Sequence, residues 1–180
     1  MEIRFVQPHL GRLDELDAEL LFATVFADER PPHGVAGLCD WRLGGRVARL
    51  LEEGFFTGAL GDVLLVPGRP RTTFDKICFF GGGDRASFDE DVFISIVRRM
   101  LRTMVDLRAR GGVVELPGRH VGLLSPERAA EIALDEATHH AAEIDVWVLV
   151  EDAPSRAVIE KLVFDQKRRR QRIEGPLDAP

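Results

Sequence analysis

The chain has 180 residues, 45% of them hydrophobic and 30% charged, with a formal net charge of -6. That length and composition fit one globular domain with room for a real core. The acidic balance runs against a protein whose main task is coating nucleic acid; apolar runs such as VLLV (63–66) are too short to span a bilayer, and two cysteines, Cys39 and Cys78, make no disulfide framework.

Met1 leads straight into EIRFV (2–6), whose alternation predicts a strand. No basic-then-apolar leader precedes it, so a cytoplasmic location is expected, with both thiols reduced and filling core space. LLFATVFA (20–27) is a continuous apolar run, read as a buried strand, and DERPPHG (28–34) breaks it. Asp40 is the expected N-cap of a helix over 41–53, with Leu43, Val47, Leu50 and Leu51 on one face and Gly54 as its stop. Gly44 and Gly45 weaken that helix by up to about 1 kcal/mol each.

DVLLV (62–66) and KICFF (76–80) read as strands buried on both faces. Ser87 and Glu90 form a capping box that opens the longest helix. Phe93, Ile96, Val97, Met100, Leu101, Met104 and Val105 repeat along it at helical spacing, and Gly111-Gly112 end it. VVEL (113–116) is the next strand. Ser125-Pro126-Glu127 supplies cap, first-turn proline and first-turn acid to a helix burying Ala130, Ala133, Leu134, Ala137 and Ala141. DVWVLV (145–150) is a buried strand, and a last helix runs from Pro154 through Val158, Leu162 and Val163. The closing EGPLDAP (174–180) has a disordered composition.

Apolar strands alternating with one-sided helices give an α/β fold. The expected architecture is a three-layer α/β/α domain on a mixed, mostly parallel sheet of about six strands. It is mixed because the first, hairpin-like pair need not be parallel. One domain over residues 1–168 is expected, followed by a basic, then flexible tail at 169–180.

Four clusters are candidate sites. FFGGGDRASF (79–88) places Gly81, Gly82 and Gly83 between a strand and a helix start, with Arg85 and Ser87 beside them, as a phosphate cradle would. Asp84, Asp89, Glu90 and Asp91 crowd the same turn and oppose an anion, so a strand-to-helix turn outweighs the cradle. DEATHHAAE (135–143) sets Glu136, His140 and Glu143 on one helix face, but without a metal-binding spacing, so a solvated flank outweighs a metal site. Cys39, His33, Ser125 and His120 form no nucleophilic constellation, and no catalytic residue is assigned. The basic run Lys167, Arg168, Arg169, Arg170 and Arg172 could contact phosphates, though as a cationic helix end it equally suits the macrodipole.

GFFTGALGDVLLVPG (54–68) resembles the G-x-F-x-G-x-x-G-E-x-L-L-L pattern in the N-terminal domain of the leucyl aminopeptidase family of metallopeptidases. Gly54, Phe56 (or Phe55), Gly58, Gly61, Leu64 and Leu65 match, with Asp62 where the family has Glu. LLFATVFADER, Asp40, KICFFGGGDRASFDEDVF and FDQK (164–167) follow the family's order, with Lys167 one position early, so the similarity runs over about residues 10 to 168. The resemblance implies a macrodomain-like fold. It also implies that the family's metal ions and catalytic residues belong to a larger C-terminal domain with no counterpart in this chain, so no metal, cofactor or catalytic residue carries over.

The leading expectation is a non-catalytic interaction or assembly module, forming a homo-oligomer or binding a protein partner. The alternative is a nucleotide or ADP-ribose module of macrodomain type, with Gly81, Gly82 and Gly83 facing the phosphate; the lack of an N-A-A-N-like segment counts against it. A further alternative is nucleic-acid binding through the basic tail, which the acidic body disfavours. No membrane partner is expected.

Overall fold

A computed structural model describes residues 2–140 and 142–173, without the side chains of residues 167 and 169–173. Ala141 and the EGPLDAP segment lie outside the described residues.

Six strands, β1 (Glu2–Val6), β2 (Leu20–Val25), β3 (Val63–Pro67), β4 (Lys76–Gly81), β5 (Gly111–Val114) and β6 (Val146–Val150), form one sheet in the order β1-β6-β5-β2-β4-β3. All neighbours are parallel except β3, which runs antiparallel to β4. The sheet is mixed and mostly parallel as expected, but for a different reason. β1 does not pair with its successor; it lies at the far edge beside β6, and the antiparallel hairpin is β3–β4.

Helices cover both faces, which makes the three layers. One face carries α4 (Glu90–Asp106), α5 (Pro126–Thr138) and α6 (Ala153–Ile173), packed on Leu20, Phe22, Cys78, Phe80 and Trp147. The other carries α1 (Leu10–Asp14), α2 (Gly34–Arg42) and α3 (Arg46–Glu52), packed on Leu21, Ala23, Val25, Ile77 and Phe79. β2 alternates residues into both cores and is buried throughout, as its apolar run predicts. Phe93, Ile96, Val97, Met100, Leu101 and Met104 of α4 are all buried. At roughly 1.5–3 kcal/mol per fully buried large side chain, this stripe is a main anchor of the fold.

Several local expectations are corrected. The segment 41–53 is not one helix: Gly44 and Gly45 take left-handed φ values of 68° and 73° and separate α2 from α3. Asp40 lies inside α2, yet still caps, since its Oδ1 accepts from Val47 N at 2.7 Å and Ala48 N at 3.3 Å at the start of α3. β3 alternates exposed and buried residues because it is an edge strand, with helices on one of its faces only. The N-cap of α4 is Asp89, whose Oδ1 accepts from Val92 N at 2.9 Å, and Ser87 sits in a short 3-10 turn before it. Gly111 and Gly112 open β5 instead of ending α4, and β5 ends at Val114, leaving Glu115 beyond the strand. The longest helix is α6, 21 residues against 17 for α4, and it continues past residue 168. Ser125 caps α5 as expected, accepting from Arg128 N.

Candidate functional site

The glycine triplet is occupied by the chain itself. Gly81 N donates to Asp62 O, Gly82 N to Val25 O and Gly83 N to Gly58 O, each at 2.9 Å. A Cβ on Gly81 would lie 1.9 Å from Ala59 O, and one on Gly82 would lie 2.7 Å from the Phe26 ring. The triplet therefore seats the loop 58–62, which Asp62 closes by accepting from Thr57 N and Thr57 Oγ1 at 3.0 and 2.6 Å. Arg85 is tied to Asp28, through Nε at 3.0 Å and its backbone N–H at 3.2 Å. Ser87 is exposed, its N–H bonded to Asp84 O.

The carboxyl ends of the parallel strands hold a cluster that the sequence reading missed. The chain leaves β2 towards β4 and leaves β5 towards β6, so the strand order diverges between β2 and β5. A crevice at such a divergence is the usual ligand position in an open α/β sheet. The loop after β2 brings Glu29 and His33 there, and the loop after β5 brings Glu115, Arg119 and His120. Glu151 and Asp152 follow β6 directly.

Glu29 is saturated. Its Oε1 takes His33 N at 3.1 Å, His33 Nδ1 at 3.0 Å and His120 Nε2 at 3.1 Å, while Oε2 takes Phe26 N at 3.3 Å. Burial disfavours its charge, but these donors, led by His120, outweigh it and hold the carboxyl below its usual range. Glu115 Oε1 accepts from Val35 N at 3.0 Å, in the first turn of α2. Gly34 is required beside it: φ is +57°, and a Cβ would lie 2.6 Å from Glu115 Oε1 and 2.7 Å from His120 Cβ.

His120 Nδ1 and Glu115 Oε2 face each other at 3.8 Å, with side chains only 6% and 4% exposed, and neither atom has a hydrogen-bond partner among the described residues. Burial pushes the Glu115 carboxyl up to about 7, and the charges of Glu29 and Glu151 add to this against the pull of His120. Burial works against a charge on His120, but the Glu29 hydrogen bond and the two carboxylates overcome it and raise its pKa. At this distance Glu115 and His120 form an ion pair when His120 is protonated, with Nε2 held by Glu29 and Nδ1 turned towards Glu115.

Arg119 closes one side. It pairs with Glu151 through Nε at 2.9 Å and Nη2 at 3.0 Å, and it donates to Leu124 O at 2.7 Å and Ser155 Oγ at 3.1 Å. Pro8, Gly34, Glu115, Arg119, His120, Val150, Glu151 and Asp152 line a cleft of about 290 Å³. Its sequence signal was an acid directly after a buried strand, in VVE (113–115) and again in VLVE (148–151).

A second feature lies at the opposite sheet edge. Among the described residues β3 has no neighbour on its outer side, and Val63 and Leu65 are 38% and 48% exposed. Val63, Ser95, Arg98, Arg99, Arg102, Thr103 and Asp106 line a groove of about 630 Å³ between this strand and α4. Arg98 is held by Glu136 at 2.8 Å, and Arg102 lies 4.0 Å from Asp106. Arg99 pairs with no carboxylate among the described residues.

The remaining candidates do not converge. Glu136 is bound to Arg98, His139 follows the end of α5, and His140 and Glu143 lie in the turn beyond it. Cys39 is buried and its thiol is raised far above the usual range, chiefly by burial. Among the basic run, Arg168 lies over the Phe164 ring at 5.7 Å, and the side chains of Lys167, Arg169, Arg170 and Arg172 are outside the described residues. No described helix is long and apolar enough to cross a membrane.

A sequence model of the cytosol aminopeptidase family, N-terminal domain, matches residues 24–142. A search of curated proteins finds no match. Among solved structures, the Trypanosoma brucei macrodomain in complex with ADP is similar at TM-score 0.71 and 17% identity, over 90% of this chain and 69% of that one. The Oceanobacillus iheyensis macrodomain with ADP is similar at TM-score 0.65 and 15% identity, over 87% and 88% of the two chains. The macrodomain of Mycobacterium tuberculosis DarG gives TM-score 0.63 and 16% identity, over 83% and 98%. At these identities the likeness establishes the macrodomain-like fold and no ligand.

Proposed function

Since this chain belongs to the cytosol aminopeptidase family through its N-terminal domain, we propose that it is a non-catalytic interaction module whose partner adds an extended, acidic and apolar segment along β3. The observation that carries this reading is the open edge of β3. An unpaired edge with outward apolar residues is a template for another strand. Val63 and Leu65 offer the apolar contact, and Arg98, Arg99 and Arg102 of α4 overlook it. Arg98 and Arg102 are paired with Glu136 and Asp106, so Arg99, which pairs with no carboxylate among the described residues, sets the partner's charge. In a two-fold pairing of β3 with β3 of a second copy, the two α4 helices would face each other with arginines opposed. A second copy is therefore disfavoured against an acidic segment.

Selection from a random peptide library tests this. The wild-type domain should enrich sequences alternating apolar and acidic residues, and a selected peptide should perturb the amide resonances of Val63 and Leu65. Leu65→Lys should lose that peptide. Absence of enrichment, or equal binding by the Leu65→Lys variant, overturns the reading. A concentration-dependent mass by light scattering replaces the acidic segment with a second copy.

The two ADP-bound neighbours support a nucleotide-binding alternative. In this chain the triplet N–H groups are already bonded, and Arg85 and Arg119 are already paired with Asp28 and Glu151. Calorimetry with ADP and with ADP-ribose discriminates the two readings.

A further inference from the structure

Two main-chain hydrogen bonds fix which way the β3 edge faces. Gly81 N donates to Asp62 O at 2.9 Å, and Gly68 N donates to Asp75 O at 3.0 Å. Val63 lies opposite Phe80 and Leu65 opposite Cys78. Antiparallel alternation then turns the N–H and C=O groups of Leu64 and Val66 towards β4, and those of Val63 and Leu65 outward. The edge is short, because Pro67, the next outward position, has no N–H to continue it. At the Val63 end, the groove beside α4 meets a second cavity of about 260 Å³, lined in part by Leu60, Gly61, Asp62, Phe80 and Ile96. Ser95 and Arg99 line both.

Resting on the reading of β3 as a docking edge, we propose that this end of the groove captures the free C-terminus of the partner chain. The terminal carboxylate meets Arg99, and the last side chain, an aliphatic one, enters the second cavity. Chain direction favours this. A strand added antiparallel to β3 runs in the direction of β4, so it finishes beside Val63, where the cavity lies. Charge favours it too. Arg99 is exposed on α4 and pairs with no carboxylate among the described residues. A Cβ on Gly61 would lie 3.7 Å from Arg99 Nη1, so the guanidinium stands against the loop that bounds the cavity. A guanidinium takes a carboxylate through two parallel N–H bonds.

Among the described residues Asp62 is the one acid lining the cavity, and its Oδ2 is turned to Thr57 N and Thr57 Oγ1 at 3.0 and 2.6 Å. Buried Phe80 and Ile96, with the exposed Leu60, supply the apolar wall. A strand added parallel to β3 would begin at this end and bring an ammonium to Arg99, which like charge opposes. An internal acidic side chain is the competing occupant, and amidation of the chain end separates the two.

Selection from two peptide libraries tests it, one displayed with free C-termini and one with both ends blocked. The free-end library should enrich sequences whose last residue is aliphatic. Amidating the C-terminus of a selected peptide should weaken its binding, read by fluorescence anisotropy, at least tenfold. Arg99→Gln should weaken the free-acid peptide to the same degree and leave the amide unchanged, whereas a merely structural role would weaken both alike. Leu65→Lys should abolish binding of either form. Equal binding of acid and amide, equal losses on Arg99→Gln, or enrichment from the blocked library alone overturns the inference; where Leu65→Lys still abolishes that binding, the β3 edge stands with an internal segment on it. If neither library enriches, the edge reading falls and this inference falls with it.

Discussion

Glu115→Gln tests the electrostatics of the crevice through stability alone. Glu115 titrates near 7 in the fold, against 4.5 for a solvated carboxyl. Between these values the folded chain keeps a proton that the unfolded chain releases. Unfolding therefore frees a proton, and stability falls as pH rises. The gap, at roughly 1.4 kcal/mol per pH unit, amounts to ~3 kcal/mol lost between about pH 4.5 and pH 7.5. His120 acts with the same sign: its folded pKa lies above the ordinary 6.5, so its contribution is present below that value and is lost as pH climbs through the folded one. Glutamine keeps the Val35 hydrogen bond and carries no charge. Urea unfolding at pH 5, 6, 7 and 8 should show the wild type losing stability steeply. The variant should be near wild type at pH 5, more stable than wild type at pH 8, and flatter by roughly 2–3 kcal/mol. Parallel curves for the two proteins would refute the reasoning, because they would mean that Glu115 is ionised at no cost.

Three other outcomes are expected. Asp40→Ala removes the side chain that takes Val47 N and Ala48 N, so thermal or urea unfolding should show a loss of about 0.5–2 kcal/mol. Arg119→Met leaves Glu151 buried without its bidentate partner and should cost about 3–5 kcal/mol; adding Glu151→Leu should recover a large part of that, as a double-mutant cycle will show. Leu65→Lys, on an exposed edge, should change stability by no more than about 0.5 kcal/mol while abolishing binding of peptides selected on the wild-type domain.

The fold was legible where chemistry is local and repetitive. The buried runs of β2, β4 and β6, the stripe from Phe93 to Met104 and the cap at Ser125 depend only on nearby residues. The boundaries that failed depended on tertiary placement. Nothing within DVLLV announces that β3 stands at an edge, because that follows from where the chain goes next. Asp40 was correctly a cap, but its targets lie seven and eight residues on, across a break made by two left-handed glycines. The crevice was illegible for the same reason. Glu29 and His120 are 91 residues apart, and only a parallel sheet that diverges between β2 and β5 brings them together. The glycine triplet illustrates the opposite error. Its spacing is that of a phosphate loop, but the absent side chains make room for Ala59 O and the Phe26 ring.

Whether the crevice admits a nucleotide turns on what occupies its helix ends. A helix N-terminus attracts a phosphate because its first N–H groups are unpaired and the macrodipole is positive there. Two such ends open on this cleft, and the chain has filled both with its own carboxylates: α2 through Val35 N on Glu115, and α6 through Ser155 N on Asp152. A phosphate would have to displace a covalently tethered anion, next to arginines that are already neutralised. Asp152→Ser separates cap from charge, since serine still caps a helix. Removing one charge roughly 5 Å from a ligand, across a fully water-exposed rim, changes its energy by about 1 kcal/mol, close to fivefold in affinity. ADP should therefore strengthen by about that factor, and the gain should shrink as salt rises. If the ADP affinity stays unchanged, the carboxylate at residue 152 does not select the charge of what enters, and the chain's own anions are not standing where a phosphate would.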